Sequence, residues 1–363
     1  MYLPNFTYTN KTIRNMAEID LIRGMILNAE ITPELDLHLR KSALLRSALA
    51  STSLDKSLKV GKVKKSSKAS SKKSFKFKPS SKAREDQDIQ GYLEVLQDLD
   101  SYHEHGKVTE KLLFRMHEKL TENTLKDVHP NNKYREVDVE LEYNGSNPFK
   151  YMPPNHELVP NLMEELLKWV NNNSTEISPI TVAGTAHWKM LRIQPFCQGN
   201  GQTARALTDL ILYLRLFNTK GYFSLEEYYK KDEKAYLNAL SLDLEEKKSL
   251  TMWMEYFTDG VLTSLSETGN KISNLTKTGK CFDRSTFKDY TKILSFLHIY
   301  GKITPKDVAT LFGINESEAV LYLQKLEELS VIKKKKRHGS SYYILKIRAD
   351  QLKKQWKILF KKD

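Results

Sequence analysis

Through about residue 275 apolar residues recur at three- and four-residue spacing almost throughout, and only over 137–151 does the period fall to two. That pattern confines this part of the chain to a helical bundle carrying one small β element. Thr32-Pro33 is a cap followed by proline at the first helical position, and Leu35, Leu39, Ala43, Leu44 and Leu49 then mark one face. Ile89, Leu93, Leu96 and Leu99 mark a second helix, and Thr109 caps a third bearing Leu112, Leu113, Met116 and Leu120. Over 137–151 the period changes: Val137, Val139 and Leu141 alternate with acids, Asn144-Gly145 supplies a tight turn, and Phe149 and Tyr151 return. This predicts a β-hairpin closed off by Pro153-Pro154. Helices are expected at 155–171, at 179–192 behind Ser178-Pro179, and from Gln202 to Phe217, with Ser224 and Glu227 as a capping box for the next.

A chain of 363 residues with 40% hydrophobic and 10% aromatic content can bury one large core or two to three domains. No apolar run reaches the length of a membrane span, and the first residues lack the apolar region of a signal peptide. The two cysteines, Cys197 and Cys281, rule out a disulfide framework and a Cys/His zinc cluster, so a cytoplasmic location is expected. The formal net charge of +13 is concentrated in one place: residues 56–84 hold eleven lysines, one arginine, eight serines and no acid. Such a stretch buries too little apolar surface to offset the entropy of ordering. It reads as a solvated basic loop, or as a contact for DNA or another polyanion. The remainder of the chain is close to neutral.

The stretch IQPFCQGNGQTARAL, residues 193–207, carries the chemistry. Gly199-Asn200-Gly201 lies between two helices, where glycines permit close backbone approach and free amides with the following helix dipole favour an anion. Arg205, one turn on, adds a cation for a phosphate. Alone, the turn also fits a plain helix connection. Its context is more specific. Pro195, Phe196, Gly199, Asn200, Gly201 and Arg205 match the Fic-family signature His-Pro-Phe-x-(Asp/Glu)-Gly-Asn-Gly-Arg-x-x-Arg, and AHWKMLRI before it resembles the helix leading into that motif. YREVDVELEYNGSNPFKYMPPNHELVPNLMEELLKWV resembles the family's flap hairpin and following helix, and SALASTSLD its inhibitory-helix motif. The resemblance spans roughly residues 5–275.

The resemblance implies a mainly α fold: a Fic-type helical bundle with a β-hairpin flap. It implies transfer of AMP from ATP, with Mg²⁺, to a hydroxyl of a protein target held along the flap, 137–151. Three departures stand against that implication. Gln194 occupies the position of the histidine base, and a carboxamide cannot accept a proton near neutral pH. Gln198 occupies the position of the metal-holding acid, without its charge. Gln202 replaces the first phosphate-binding arginine. Gly199, Asn200, Gly201, Gln202 and Arg205 are the expected phosphate-binding set. Ser51 and Asp55 align with the inhibitory motif, whose acid pairs with the second arginine, here Arg205; a helix end closed by Ser51 and Asp55 is the alternative. His187, seven residues before Gln194, reads as a packing histidine, and Cys197 has no visible activating partner.

Beyond residue 280 the pattern changes. Helices at 283–299, 305–312 (Thr304 cap, Pro305) and 316–329 (Asn315 and Glu318 as a cap pair) precede Val331-Ile332 and Tyr342 to Leu345, which flank KKKKRHGSS. This resembles the winged helix-turn-helix that follows many bacterial Fic domains. Its third helix carries Glu316, Glu318, Glu327 and Glu328, opposing a phosphate backbone, whereas 333–337 is basic and suits DNA or another polyanion. The expected organisation is 1–55, an N-terminal helical region with the degenerate inhibitory motif; 56–84, the basic loop; 85–275, the Fic core; and 280–363, the winged helix. Two function classes follow: an impaired pseudoenzyme that keeps a nucleotide-binding loop, or an AMP transferase with an unusual motif, with DNA-binding regulation as a further alternative.

Overall fold

The computed structural model describes residues 2–54, 59–60, 82–125, 133–143, 149–172, 177–217, 221–240, 245–275, 284–337 and 340–346. Asp55, most of the 56–84 segment, the Asn144-Gly145 turn and Cys281 lie outside the described residues. The chain folds as two compact units that do not follow its linear order. The first comprises Met1–Phe6, Lys41–Asn218 and Ser224–Tyr256, and the second Thr7–Arg40, Thr219–Phe223 and Phe257–Asp363. The linear division placed all of 1–55 in one region; here its first helix belongs with the C-terminal unit. The cause is apolar burial, since Ala17 and Leu21 share one core with Leu294, Leu297 and Leu323.

The first unit contains the end of α2 (Pro33–Leu54), α3 (Lys82–Gln97), α4 (Glu110–Leu125), α5 (Val159–Asn172), α6 (Pro179–Ile193), α7 (Asn200–Leu214), α8 (Leu225–Lys231), α9 (Glu233–Leu240) and the start of α10 (Glu246–Leu275). The expected caps form: the Leu112 amide meets Thr109 Oγ1 at 3.4 Å, and the Glu227 amide meets Ser224 Oγ at 3.2 Å. The Glu227 side chain goes to Arg46 at 2.9 Å, so the second half of that capping box is spent elsewhere. α6 and α7 are apolar on nearly all sides and form the centre of the unit, as such helices must. Buried indoles anchor α6 because their N–H groups need acceptors. Trp253 Nε1 donates to the Gly184 carbonyl at 2.7 Å, and Trp188 Nε1 to Ser249 Oγ at 3.0 Å. α7 starts at Asn200, two residues earlier than its periodicity suggests.

The hairpin forms in a shorter frame than expected. β2 (Leu141–Tyr143) and β3 (Phe149–Tyr151) are antiparallel with Leu141 opposite Tyr151, while residues 133–140 run alongside without regular pairing. Side-chain bonds hold that approach instead, as where the His156 amide donates to Asp138 Oδ1 at 2.9 Å. A third strand, β1 (Lys59–Val60), joins β2 from the far side, giving the order β1-β2-β3.

The second unit contains α1 (Asn10–Asn28), α11 (Arg284–Tyr300), α12 (Pro305–Phe312), α13 (Glu316–Glu328) and a hairpin of β4 (Ile332–Arg337) and β5 (Ser340–Leu345). Thr304 and Asp307 form a complete capping box for α12, and Asn315 Oδ1 caps α13. Ile303 bridges to Tyr343 of β5, so the loop between α11 and α12 lies along the hairpin. Gly24 admits no side chain, because a Cβ there would lie 2.7 Å from Val331 Cγ2.

Candidate functional site

The loop between α6 and α7 takes its shape from the end of α6. Gln194 is the C-cap residue, in the left-handed region at φ 50 and ψ 64, with its amide bonded to the Met190 carbonyl. Its side chain turns back, and Nε2 donates to the Leu191 carbonyl at 2.7 Å. Gln194 is 5% exposed. The carboxamide therefore satisfies one of the orphan carbonyls that every helix end leaves, a role without acid-base chemistry.

From Phe196 onward the loop is braced internally. The Asn200 side chain accepts from the Phe196 amide at 2.9 Å and donates to the Phe196 carbonyl at 2.7 Å. Gly199 is obligatory on two counts: φ is +74, and a Cβ would stand 2.5 Å from Thr121 Cγ2 of α4. The same helix presents His117, whose ring stacks on Phe196 at 3.7 Å and whose Nε2 meets the Gln198 carbonyl at 3.0 Å. His117 follows the apolar run of α4 without any distinguishing spacing, so sequence reasoning passed it over.

Arg135 is the second residue that reasoning missed. Its guanidinium donates to the Gln194 carbonyl at 2.8 Å, to the Val137 carbonyl at 2.9 Å and to the Pro154 carbonyl, while its own amide donates to Pro195 at 2.9 Å. Asp138 lies 3.6 Å away, and the Arg135 side chain is 0% exposed. One cation thus ties both ends of the flap to the end of α6. Burial lowers its pKa, and Asp138 opposes that shift.

Arg205 does not stand open for a phosphate. It is 2% exposed, and its Nε donates to Ser51 Oγ at 2.7 Å while an outer nitrogen donates to the Ser51 carbonyl at 3.1 Å. The structure thus brings Ser51 and Arg205 together; the expected partner of Arg205 in the inhibitory-motif reading, Asp55, lies outside the described residues. Around them sits a carboxyl group from each of two helices, Asp209 on α7 and Glu226 on α8. Glu226 accepts from Tyr92 at 3.1 Å and from Ser224 at 3.2 Å. Burial, then the neighbouring Glu226, pushes the Asp209 carboxyl well above its ordinary range, with Arg205 opposing. Asp209 Oδ2 is buried and meets no hydrogen-bond donor, consistent with a carboxyl whose charged form burial disfavours. The Arg205 guanidinium is thus occupied from within the protein by Ser51.

The other candidates are placed as follows. His187 is fully buried, with Nδ1 at 3.0 Å from Thr208 Oγ1 and Nε2 at 3.0 Å from the Tyr236 hydroxyl, and burial drives its pKa well down. It is a neutral packing histidine. Cys197 is a free thiol raised in pKa by burial, the opposite of an activated nucleophile. Gln198 and Gly201 are half-buried in the loop, and Gln202 is buried in the first turn of α7. As a Mg²⁺ site the loop does not fit: position 198 offers a neutral amide, and no group of three His, Cys, Asp or Glu is placed to hold a metal among the described residues. The Gly199–Gly201 turn lies at the N-terminus of α7, where helix amides and dipole favour an anion. No helix among the described residues is long and apolar enough to cross a membrane.

Comparison with known proteins agrees with this architecture. Residues 107–212 match the family model "Fic/DOC family". The chain is 39% identical over 64 residues to "Protein adenylyltransferase fic-1" of Caenorhabditis elegans, covering 17% of this chain and 13% of that protein. It is 33% identical over 110 residues to the Caenorhabditis briggsae protein of that name, covering 30% and 20%. The matched region thus spans a fifth or less of these relatives. Its fold resembles that of a Fic family protein from Desulfovibrio desulfuricans (TM-score 0.58, 20% identity, covering 95% of this chain and 98% of that one). It also resembles a Fic domain containing signaling protein from Bacteroides thetaiotaomicron (TM-score 0.53, 15% identity, covering 71% and 97%). A helical bundle whose α6–α7 loop carries most of the signature, together with these matches, makes this a Fic-domain protein.

Proposed function

We propose that this Fic protein works as a binding or regulatory module whose transfer chemistry is lost or nearly lost. The observation that carries the reading is Gln194: at the position where the family has its base, a buried carboxamide caps its own helix through the Leu191 carbonyl. Removal of a general base typically lowers a rate by about 10²–10⁴. A nucleotide or pyrophosphate would bind weakly through the amides of Gly199, Asn200 and Gly201, with little dependence on Mg²⁺. ATP would supply the AMP group to be transferred in a competent family member. Here Arg205 must first exchange Ser51 for a phosphate oxygen, so the α2 end acts as a brake on binding. The flap would hold an extended segment of a protein target, in the cytoplasm. The test is incubation with labelled ATP and Mg²⁺, comparing wild type, Gln194→His and the triple variant Gln194→His/Gln198→Asp/Gln202→Arg. Wild type should stay unlabelled and only the triple variant should gain substantial transfer. Time-dependent labelling by wild type at ordinary enzyme concentration would sink the reading.

A second reading, an AMP transferase with an unusual motif, is favoured by the adenylyltransferase names of the matching relatives. Wild-type labelling is the result that would establish it. The 284–346 region, three helices followed by a hairpin, fits a winged helix-turn-helix. α13 places Glu316 and Glu318 in its first turn, which opposes entry into a DNA groove, while Lys334, Lys335 and Lys336 of β4 are exposed and suit a polyanion backbone.

A further inference from the structure

The sheet of the flap has one strand more than its hairpin requires. β1 adds antiparallel to β2, with Lys59 opposite Glu142 and Val60 opposite Leu141. It comes from the most basic part of the chain, the 56–84 segment of eleven lysines and one arginine. We infer that the outer edge of β2 is a docking edge for a lysine-rich extended segment of another protein, and that Lys59–Val60 occupies this edge as an intramolecular surrogate. The inference rests on the reading of the flap as a target-holding element, and it names the chemistry of the target and what stands in its way.

Three observations support it. An edge strand presents unpaired N–H and C=O groups, and main-chain pairing there supplies affinity without regard to sequence, so selectivity must come from side chains. Those side chains are acidic: Glu140 and Glu142 both act on the Lys150 ammonium of β3, Glu142 first, which pairs with it at 2.6 Å. A cross-strand cation opposite Glu142 is thus favoured over an anion. Second, among the described residues β1 pairs over two positions, and so short a pairing gives way to a longer strand. Third, the edge communicates with the loop. The Tyr151 hydroxyl of β3 donates to the Arg192 carbonyl near the end of α6 at 2.8 Å, and Arg135 joins the approach to β2 to the Gln194 carbonyl. Ser57, Ser66 and Ser67 flank the surrogate in sequence, so a target of matching chemistry carries hydroxyls beside its lysines.

The experiment uses a fluorescent synthetic peptide with the sequence of residues 56–66, KSLKVGKVKKS. Its anisotropy is titrated with the full chain, with Lys59→Pro/Val60→Pro, which cannot donate to the ladder at β1, and with that variant carrying Glu142→Lys as well. If β1 holds the edge about nine-tenths of the time, the proline variant should bind about tenfold more tightly than wild type. Glu142→Lys should remove most of that gain. Hydrogen exchange at the amides of Leu141–Tyr143 should rise in the proline variant and fall again with peptide, a readout independent of the affinity. Equal affinity for wild type and the proline variant, or equal binding of a scrambled peptide, overturns the proposal. No nucleotide is present, so failure here leaves the loop reading intact, and AMP transfer by wild type would overturn that reading without touching this one.

Discussion

Replacing Arg135 by alanine should cost this protein much of its stability, although the residue lies outside the signature itself. Its guanidinium is covered completely and donates to carbonyls of Gln194, Val137 and Pro154. Each is a hydrogen bond from a charged donor, worth roughly 1.5–3 kcal/mol, and truncation leaves buried acceptors without a donor. The three share one cation and water can enter the vacated space, so the losses do not add; removal of one partner from a buried polar cluster typically costs about 3–5 kcal/mol. Against a total stability of roughly 5–15 kcal/mol, that is a large share. Arg135→Lys keeps the charge but not the fork that reaches three carbonyls, and should lose about half as much. Urea unfolding at neutral pH measures both. Hydrogen exchange over 194–200 reports whether the loop loosens before the whole unit unfolds. A loss below about 1 kcal/mol for Arg135→Ala, or equal losses for alanine and lysine, would refute the argument that this guanidinium holds flap and loop together.

Further expectations follow from the same contacts. Gln194→Gly should leave stability nearly unchanged, because relief of a left-handed residue and loss of a neutral hydrogen bond, about 1 kcal/mol each, offset one another; Gln194→Ala should lose about 1 kcal/mol, and equal unfolding midpoints for the two would contradict the capping role. Ser51→Ala should tighten pyrophosphate about fivefold in calorimetry by removing the hydroxyl bonded to Arg205 Nε, and unchanged or weaker binding would show that Ser51 is no brake. Asp209 has a raised folded-state pKa, so its contribution is present below its unfolded value of about 3.9 and is lost as pH rises through the folded value. Asp209→Asn should therefore be the more stable protein at neutral pH, with the difference shrinking toward acid; a constant difference from pH 4 to 8 would contradict a raised Asp209 pKa. Deleting residues 61–81 should abolish most salt-sensitive retention on polyanions while leaving thermal stability almost unchanged, and retention with the same salt slope would place the contact at β4.

Local chemistry made much of the site legible. Pro179 at the first position of α6, Thr304 with Asp307, and Asn315 act within one helical turn of themselves, so their sequence neighbours suffice to foretell them. Gly199-Asn200-Gly201 was readable for the same reason, since a glycine at positive φ answers to its own backbone. His117 and Arg135 were not readable. Both act on loop carbonyls more than fifty residues away in sequence, and carbonyls leave no trace in residue identity. The hairpin was foreseen but began too early, because alternation records which side chains are buried, not which backbone groups pair.

Residue type and spacing alone establish that the chain is mainly helical with two small β elements, that its excess charge sits in one segment, and that the transfer motif lacks its base, acid and first arginine. Only the tertiary structure decided what became of the residues left behind. Gln194 is spent on the end of its own helix, and Arg205 is engaged by Ser51. Lys59–Val60 takes the edge of the flap. These outcomes depend on which distant polar groups are left to share one desolvated space, where every donor and acceptor must find a partner, and that is settled by packing.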